Sequence, residues 1–254
     1  MTILVTGGTG TLGKPTVRKL RSTGHQLNVL SRKSGVGRVY ADLSTGDALP
    51  AALEGVDTVV HLATTRWRDA KQTRLLLDAA RTAGVTHLVF ISIVGVDRIP
   101  YGYYRDKVAS EQLIEQSGIP FTILRATQFH DFPAGFFRVQ RRLPFRMSLD
   151  LLDQPIDVDE VASRLVELVD AGPSGRVPDI GGPEHLPVRE LLDIWQQTHG
   201  TDRKVWTLNI PGATMRAFRE GHHLTPLPGY GTRTFAEYAA ADAAAGSHKK
   251  DATA

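Results

Sequence analysis

Val5-Thr6-Gly7-Gly8-Thr9-Gly10-Thr11-Leu12-Gly13 is the stretch whose reading decides the fold. It follows the short apolar run Ile3–Thr6 and precedes a helical pattern, Val17, Leu20 and Arg21, that stops at Gly24. Three glycines between a strand and a helix have separate physical uses. Gly7 permits a tight turn, Gly10 lets backbone approach a pyrophosphate with no Cβ in the way, and Gly13 lets the helix pack closely. The N–H groups of Thr9, Thr11 and Leu12 and the positive end of the helix dipole then face the phosphates. The bland alternative is a glycine-rich turn with no ligand.

Working outward, short apolar runs alternate with amphipathic helical patterns. Leu27–Leu30, Thr58–Ala63, Leu88–Ile93 and Phe121–Leu124 read as strands, with Arg38–Ala41 a shorter candidate. Near-continuous Val, Ile, Leu and Phe suit strands buried on both faces of a parallel sheet. Gln72–Ala83, Val108–Ser117, Asp157–Asp170 and Val188–Thr198 read as helices, and Arg176–Ile180 as a last strand. This alternation predicts an α/β fold: a Rossmann-type doubly wound parallel sheet with a small C-terminal substrate-binding region. One domain is expected over 1–254. Its core would be about 1–128 plus 156–182, its substrate side about 129–155 and 183–240, and its frayed tail 241–254.

Composition narrows the chemistry. The 254 residues include no cysteine. That excludes disulfides, thiolate metal sites, cysteine-ligated iron–sulfur clusters and a cysteine nucleophile. Redox chemistry would need a borrowed cofactor. Hydrophobic residues at 41% and charged residues at 22% describe an ordinary globular chain. A net charge of +3 suits an anionic small molecule as well as a nucleic acid. No run reaches the length of a membrane span, and Met1–Val5 lacks the pattern of a secretory leader. The expectation is a cytoplasmic protein whose fold begins at residue 1 or 2.

The end of the second strand selects the dinucleotide. NAD-preferring sites place Asp or Glu about 20 residues after the glycines, on the ribose 2′-OH. Ser31-Arg32-Lys33 stands there instead. A guanidinium can hold a 2′-phosphate with two hydrogen bonds. NADP(H) is therefore expected over NAD(H), with Arg32 as main ligand and Lys33 as helper; the alternative is a solvated pair of charges. Asp42 and Leu43 after the third strand would meet the adenine. Ala63 and Thr64 after the fourth would line the ribose.

Tyr103 and Lys107 are spaced Tyr-x-x-x-Lys, which puts both on one face of a helix. A protonated Lys107 beside Tyr103 would lower the phenol's pKa and make it a usable acid or base for a carbonyl/alcohol pair. Ser92, at the end of the fifth strand, could bond the same substrate oxygen. The alternative leaves Lys107 as a ribose ligand and Tyr103 as a wall.

Thr6–Gly13, Ile91-Ser92-Ile93-Val94-Gly95-Val96-Asp97, Tyr103–Lys107 and Leu124-Arg125-Ala126-Thr127-Gln128-Phe129 occur in this order. With Asp157–Ala162 and Gly181–Glu184 they resemble the NmrA-like, atypical short-chain dehydrogenase/reductase group over about residues 2–240. The resemblance implies a Rossmann core, Lys107 on the nicotinamide ribose, and Ala126–Phe129, including Thr127, near the nicotinamide ring. It implies two kinds of function: reductases of quinones and other carbonyl compounds, or dinucleotide-binding redox sensors that regulate a protein partner. Many of the latter lack the tyrosine that this chain keeps.

Gln128, Phe129, His130, Phe132 and Phe136 are expected to wall a pocket for an apolar or aromatic small molecule; a local core is the alternative. His130 is a candidate second acid/base group. Arg138, Arg141, Arg142 and Arg146 form a basic run, but no nucleic-acid motif accompanies it. It is expected to be a solvated or partner-facing surface. His222-His223 has no metal-cage spacing, so no metal is expected. The sequence reading is thus an NADP(H)-dependent oxidoreductase acting on a carbonyl, enone or quinone. No nucleic-acid or membrane partner is expected, and a homo-oligomer is allowed. A redox sensor, or an epimerase, dehydratase or other tailoring enzyme on the same fold, is the alternative.

Overall fold

The computed structural model describes residues 1–33, 35–65 and 67–251. In chain order the elements are β1 (Thr2–Thr6), α1 (Gly13–Ser22), β2 (Gln26–Ser31), β3 (Arg38–Tyr40), α2 (Leu49–Ala52), β4 (Thr58–His61), α3 (Asp69–Thr82), β5 (His87–Ile93), α4 (Gly102–Glu115) and β6 (Phe121–Ala126). There follow α5 (Asp131–Val139), β7 (Arg146–Leu149), β8 (Leu152–Asp153), α6 (Val158–Ala171), β9 (Gly175–Arg176) and β10 (Leu186–Pro187). The chain continues with α7 (Val188–Thr198), β11 (Val205–Leu208), α8 (Ala213–Arg219) and α9 (Phe235–Asp251).

The chain forms two compact units. The first, Met1–Ala126 with Val158–Asp179, holds a parallel seven-stranded sheet in the order β3-β2-β1-β4-β5-β6-β9. The Rossmann-type parallel sheet expected from the alternation is the observed fold. All four residues of β4 and six of the seven in β5 are buried, as central strands covered on both faces require. Helices α1 and α6 pack together, as do α3 with α2 and α4. Leu4, Leu30, Leu76, Leu88, Phe90 and Ile123 lie in one core cluster. The order reverses between β1 and β4, and ligands of such sheets bind outside the strand ends at that point.

The second unit, Thr127–Asp157 with the chain from Ile180 onward, centres on Phe137 of α5, Leu191 and Trp195 of α7, and Phe235 of α9. Two short ribbons, antiparallel β8–β10 and parallel β7–β11, complete it. Thr234 and Glu237 start α9 with a capping box. The Thr234 N–H donates to Glu237 Oε2 at 2.8 Å, and the Glu237 N–H to Thr234 Oγ1 at 3.2 Å.

Several boundaries differ from the sequence reading. Helix α4 begins at Gly102, six residues before Val108, so Tyr103 and Lys107 do share a helix. Helix α3 begins at Asp69, where the Asp106 carboxylate accepts the N–H groups of Asp69 and Ala70. That cap comes from another helix and leaves no local sequence signal. The last strand of the parallel sheet is Gly175–Arg176, short of the Arg176–Ile180 expected. Residues 129–156 hold α5, β7 and β8, and α9 runs through most of the tail expected to fray. Residues 252–254 of that tail lie outside the described residues.

Candidate functional site

The glycine turn is built around contacts that admit no side chain. Gly7 has φ +68°, and a Cβ there would stand 2.6 Å from the Ala63 nitrogen. A Cβ on Gly13 would stand 2.1 Å from the Gly7 carbonyl oxygen and 2.7 Å from the Gly8 Cα. Gly13 is thus required by the turn itself rather than by the sheet behind it. Gly8, which the motif reading left without a role, is buried where a Cβ would meet Val29 Cγ1 at 2.7 Å.

Gly10 closes the turn by donating its N–H to the Gly7 carbonyl at 2.9 Å. Thr9, Gly10 and Thr11 are exposed, while Leu12 is buried as the N-cap residue of α1. The first N–H groups of a helix have no acceptor inside it, and no acidic residue occupies the first turn of α1. Beside the loop lies an open cleft of about 670 Å³ with Thr9, Lys14, Arg18, Arg21 and Arg38 among its walls. The cradle and this positive charge fit a dinucleotide pyrophosphate.

Thr6 ties this turn to the end of β4. Its Oγ1 accepts the N–H groups of Leu62 and Ala63, each at 3.2 Å. With both lone pairs engaged, the Thr6 hydroxyl donates to His61 Nδ1 at 2.7 Å. His61 is then the neutral tautomer protonated at Nε2, which donates to Thr73 Oγ1 at 3.2 Å. Burial, with the charge of Lys107 adding to it, pushes the His61 pKa down to about 3. His61 holds the loop and is not available for acid–base work near neutrality.

Arg32 and Lys33 are exposed at the end of β2. Asp42 is half-buried past β3, and its Oδ1 accepts the Ser44 N–H at 2.8 Å and hydroxyl at 2.6 Å. Those bonds, and then the nearby Arg32 charge, hold the Asp42 carboxyl below its ordinary value. The two residues expected on the adenosine side therefore stand close together. Leu43 is 8% exposed and belongs to the core cluster.

The cluster around Tyr103 and Lys107 centres on Asp69, which the sequence reading does not single out. The Lys107 ammonium is buried, with Nζ 3.4 Å from Asp69 Oδ2, 3.4 Å from the Ile91 carbonyl and 4.7 Å from the centre of the Phe90 ring. Thr64 Oγ1 donates to the same Oδ2 at 2.6 Å, and the Thr65 N–H donates to Asp69 Oδ1 at 2.6 Å. Tyr103 Oη lies 3.1 Å from Thr64 Oγ1. A hydroxyl has one proton and a carboxylate only accepts, so Thr64 gives its proton to Asp69 and Tyr103 donates to Thr64. Burial raises the Asp69 carboxyl, but Lys107 and the bonds from Thr64 and Thr65 outweigh it and hold it below its ordinary value. Burial likewise lowers Lys107, and Asp69 opposes that in part.

Ser92 is placed differently. Its hydroxyl is buried and meets no hydrogen-bond geometry, though it lies close enough to Glu111 to help hold that carboxylate charged. Glu111 is a structural anchor, accepting from Arg125 Nη2 at 2.7 Å and Nε at 3.0 Å and from Arg176 Nη1 at 2.8 Å.

In the second unit the expected pocket residues separate. His130 is 1% exposed, stacks on Tyr238 and donates its Nε2–H to the Arg233 carbonyl at 3.1 Å. Phe136 packs against the same core, Gln128 and Phe129 are half-buried, and Phe132 is 60% exposed. His130 therefore takes the core alternative. Thr127 carries a buried Oγ1 with no hydrogen-bond partner. Among the described residues, no group of three or more His, Asp or Glu could hold a metal ion. No helix of the described residues is long and apolar enough to cross a membrane.

Residues 7–171 match the model of the NAD(P)H-binding family. The chain belongs to this family. It is 31% identical to the photosystem II assembly factor Ycf39 of Synechocystis over 86% of this chain and 73% of that protein. It is also 31% identical to the (4-alkanoyl-5-oxo-2,5-dihydrofuran-3-yl)methyl phosphate reductase of Streptomyces griseus, over 83% of this chain and 78% of that protein. In fold it is similar to the NADPH complex of an NADPH-dependent quinone oxidoreductase from Escherichia coli. The TM-score is 0.81 at 21% identity, with 94% of this chain and 99% of that chain covered. The NAD(P)H-binding family, the glycine cradle and the Rossmann sheet agree with one another.

Proposed function

We propose that this protein is an NADP(H)-dependent reductase of a small carbonyl, enone or quinone compound. The observation that carries the reading is the chain Lys107–Asp69–Thr64–Tyr103, which runs from a buried ion pair out to the exposed Thr64 and half-buried Tyr103 at the strand ends beside the glycine turn. A bound dinucleotide supplies the hydride. Gly7, Gly10, Gly13 and the start of α1 hold its phosphates, and Arg32 with Lys33 favours the 2′-phosphorylated form. Tyr103 gives the proton from Oη to the substrate oxygen. Thr64 then gives a proton back to Tyr103 Oη, and the proton Thr64 loses is replaced from the Lys107 ammonium by way of Asp69 Oδ2, which is a carboxylate before and after. The contacts of 3.1, 2.6 and 3.4 Å set this path. Lys107 can serve as donor because burial already lowers its pKa.

The reading is tested by NADPH consumption against a panel of quinones, enones and aldehydes, with NADPH and NADH binding measured alongside. Turnover with NADPH bound more tightly than NADH is the expected result. The likeness to Ycf39 favours a second reading, a dinucleotide-binding protein that serves an assembly. Tight NADPH binding without turnover on any panel member would favour that one instead.

A further inference from the structure

The basic run at 138–146 has one member with an ordinary role. Arg138 pairs with Asp242 and lies over the Trp195 ring, 5.1 Å from its centre. The others gather where β11 pairs with β7. Arg146 stands opposite Val205, and its N–H donates to the Lys204 carbonyl at 2.9 Å. Arg203 Nη1 donates to the carbonyls of Arg141 and Leu143. The ribbon thus brings Arg141, Arg142 and Arg146 together with Arg203 and Lys204. Among the described residues, none of these five cations makes an ion pair with a carboxylate.

Arg146 is the anomaly within the group. Strand alternation puts it on the buried face with Ser148, and it is 4% exposed. Its Nε and Nη1 are sealed from solvent and have no hydrogen-bond partner. Nearly all buried donors in proteins are bonded, and a buried charge without a counter-charge costs several kcal/mol. Burial and the neighbouring Arg203 do push the Arg146 guanidinium down, but arginine remains charged at any physiological pH.

We infer that the β7–β11 ribbon is an oxyanion-binding site, in which Arg146 backed by Arg203 takes one phosphate or carboxylate group. A planar guanidinium with free N–H donors matches either group by shape and charge. A single oxyanion fits better than a nucleic acid, because the unsatisfied donors lie on the covered face of the ribbon. Arg141, Arg142 and Lys204, neighbours of Arg146 along the ribbon, are exposed and raise the local anion concentration.

Thermal unfolding in chloride, acetate and phosphate at one ionic strength tests this, on the full chain and its Arg146→Met and Arg146→Lys variants. The wild type is expected to gain a few degrees in phosphate, in acetate or in both, beyond the gain of Arg146→Met. Which anion gives the excess identifies the group. The glycine cradle and general salt effects act equally in both proteins and cancel. In chloride, Arg146→Met should be at least as stable as wild type, because it removes an unpaired buried charge. Arg146→Lys should give less excess than wild type. Equal anion shifts in wild type and Arg146→Lys overturn the proposal, as does a Met variant that is less stable in chloride or fails to fold.

Discussion

Lys107 and Asp69 form a buried ion pair, Nζ to Oδ2 3.4 Å, with side chains 5% and 1% exposed. The pair joins α4 to the start of α3 and keeps an ammonium inside the protein. Burial lowers the Lys107 pKa and Asp69 opposes it, so removing the carboxylate charge must lower it further. Asp69→Asn is therefore expected to move the alkaline limb of the turnover–pH profile to lower pH. It should also cut turnover on the order of 10²-fold and cost about 3–5 kcal/mol in urea unfolding. Asp69→Glu should restore part of the limb. A limb that stays in place would remove Asp69 from the proton path and leave it a structural role.

Arg32 stands at the end of β2, close enough to Asp42 to favour that carboxylate's charged form. Its proposed work is on a 2′-phosphate. A charge-assisted hydrogen-bonded contact contributes about 1.5–3 kcal/mol. Arg32→Gln should then weaken NADPH binding roughly 10- to 100-fold while NADH binding barely changes. Equal losses for both cofactors in a fluorescence titration would contradict the assignment.

Gly13 admits no Cβ, since the Gly7 carbonyl oxygen would lie 2.1 Å from it. Gly13→Ala forces the turn open. It is expected to cost about 1–3 kcal/mol of stability, measured by denaturant midpoint, and to abolish dinucleotide binding. Gly24→Ala is a control: φ is +79° there and nothing lies within 4 Å of a Cβ. It should bind cofactor normally.

The first unit was largely legible in the sequence for a simple reason. Its strands are short, apolar and covered on both faces, so Ile3–Thr6 and Leu88–Ile93 stand out without help from distant residues. The glycine turn is legible because its constraint is steric and local. The start of α3 was not legible. Asp69 is capped by Asp106 of another helix, α4; its partner Lys107 lies on that same helix, and Thr64 lies in the loop after β4. Only the register of β4 beside β5 brings them together. Helix α4 hid its first turn because Tyr101-Gly102-Tyr103-Tyr104 carries no capping side chain. The second unit was hardest to read: α5 starts at Asp131 after His130 without a side-chain cap, and its apolar face meets α7 and α9 from far along the chain.

His61 supplies a pH prediction. Its folded pKa, about 3, lies below the ordinary 6.5, so the folded protein resists protonation that the unfolded chain accepts. The resulting stability is fully present above pH about 6.5 and is lost as pH falls toward 3. Between pH 6.5 and 4.5 this one group should account for about 2–3 kcal/mol. His61→Gln should flatten that part of the stability profile in urea unfolding at several pH values. An unchanged profile would mean that His61 is protonated in the fold.

The central claim is that Tyr103 delivers the proton while the rest of the site holds the dinucleotide. Single-turnover oxidation of bound NADPH, in the wild type and in Tyr103→Phe with a substrate the wild type reduces, tests it most directly. The expected result is unchanged NADPH affinity and a rate lower by about 10²- to 10⁴-fold in the variant. Equal rates in the two proteins would contradict it.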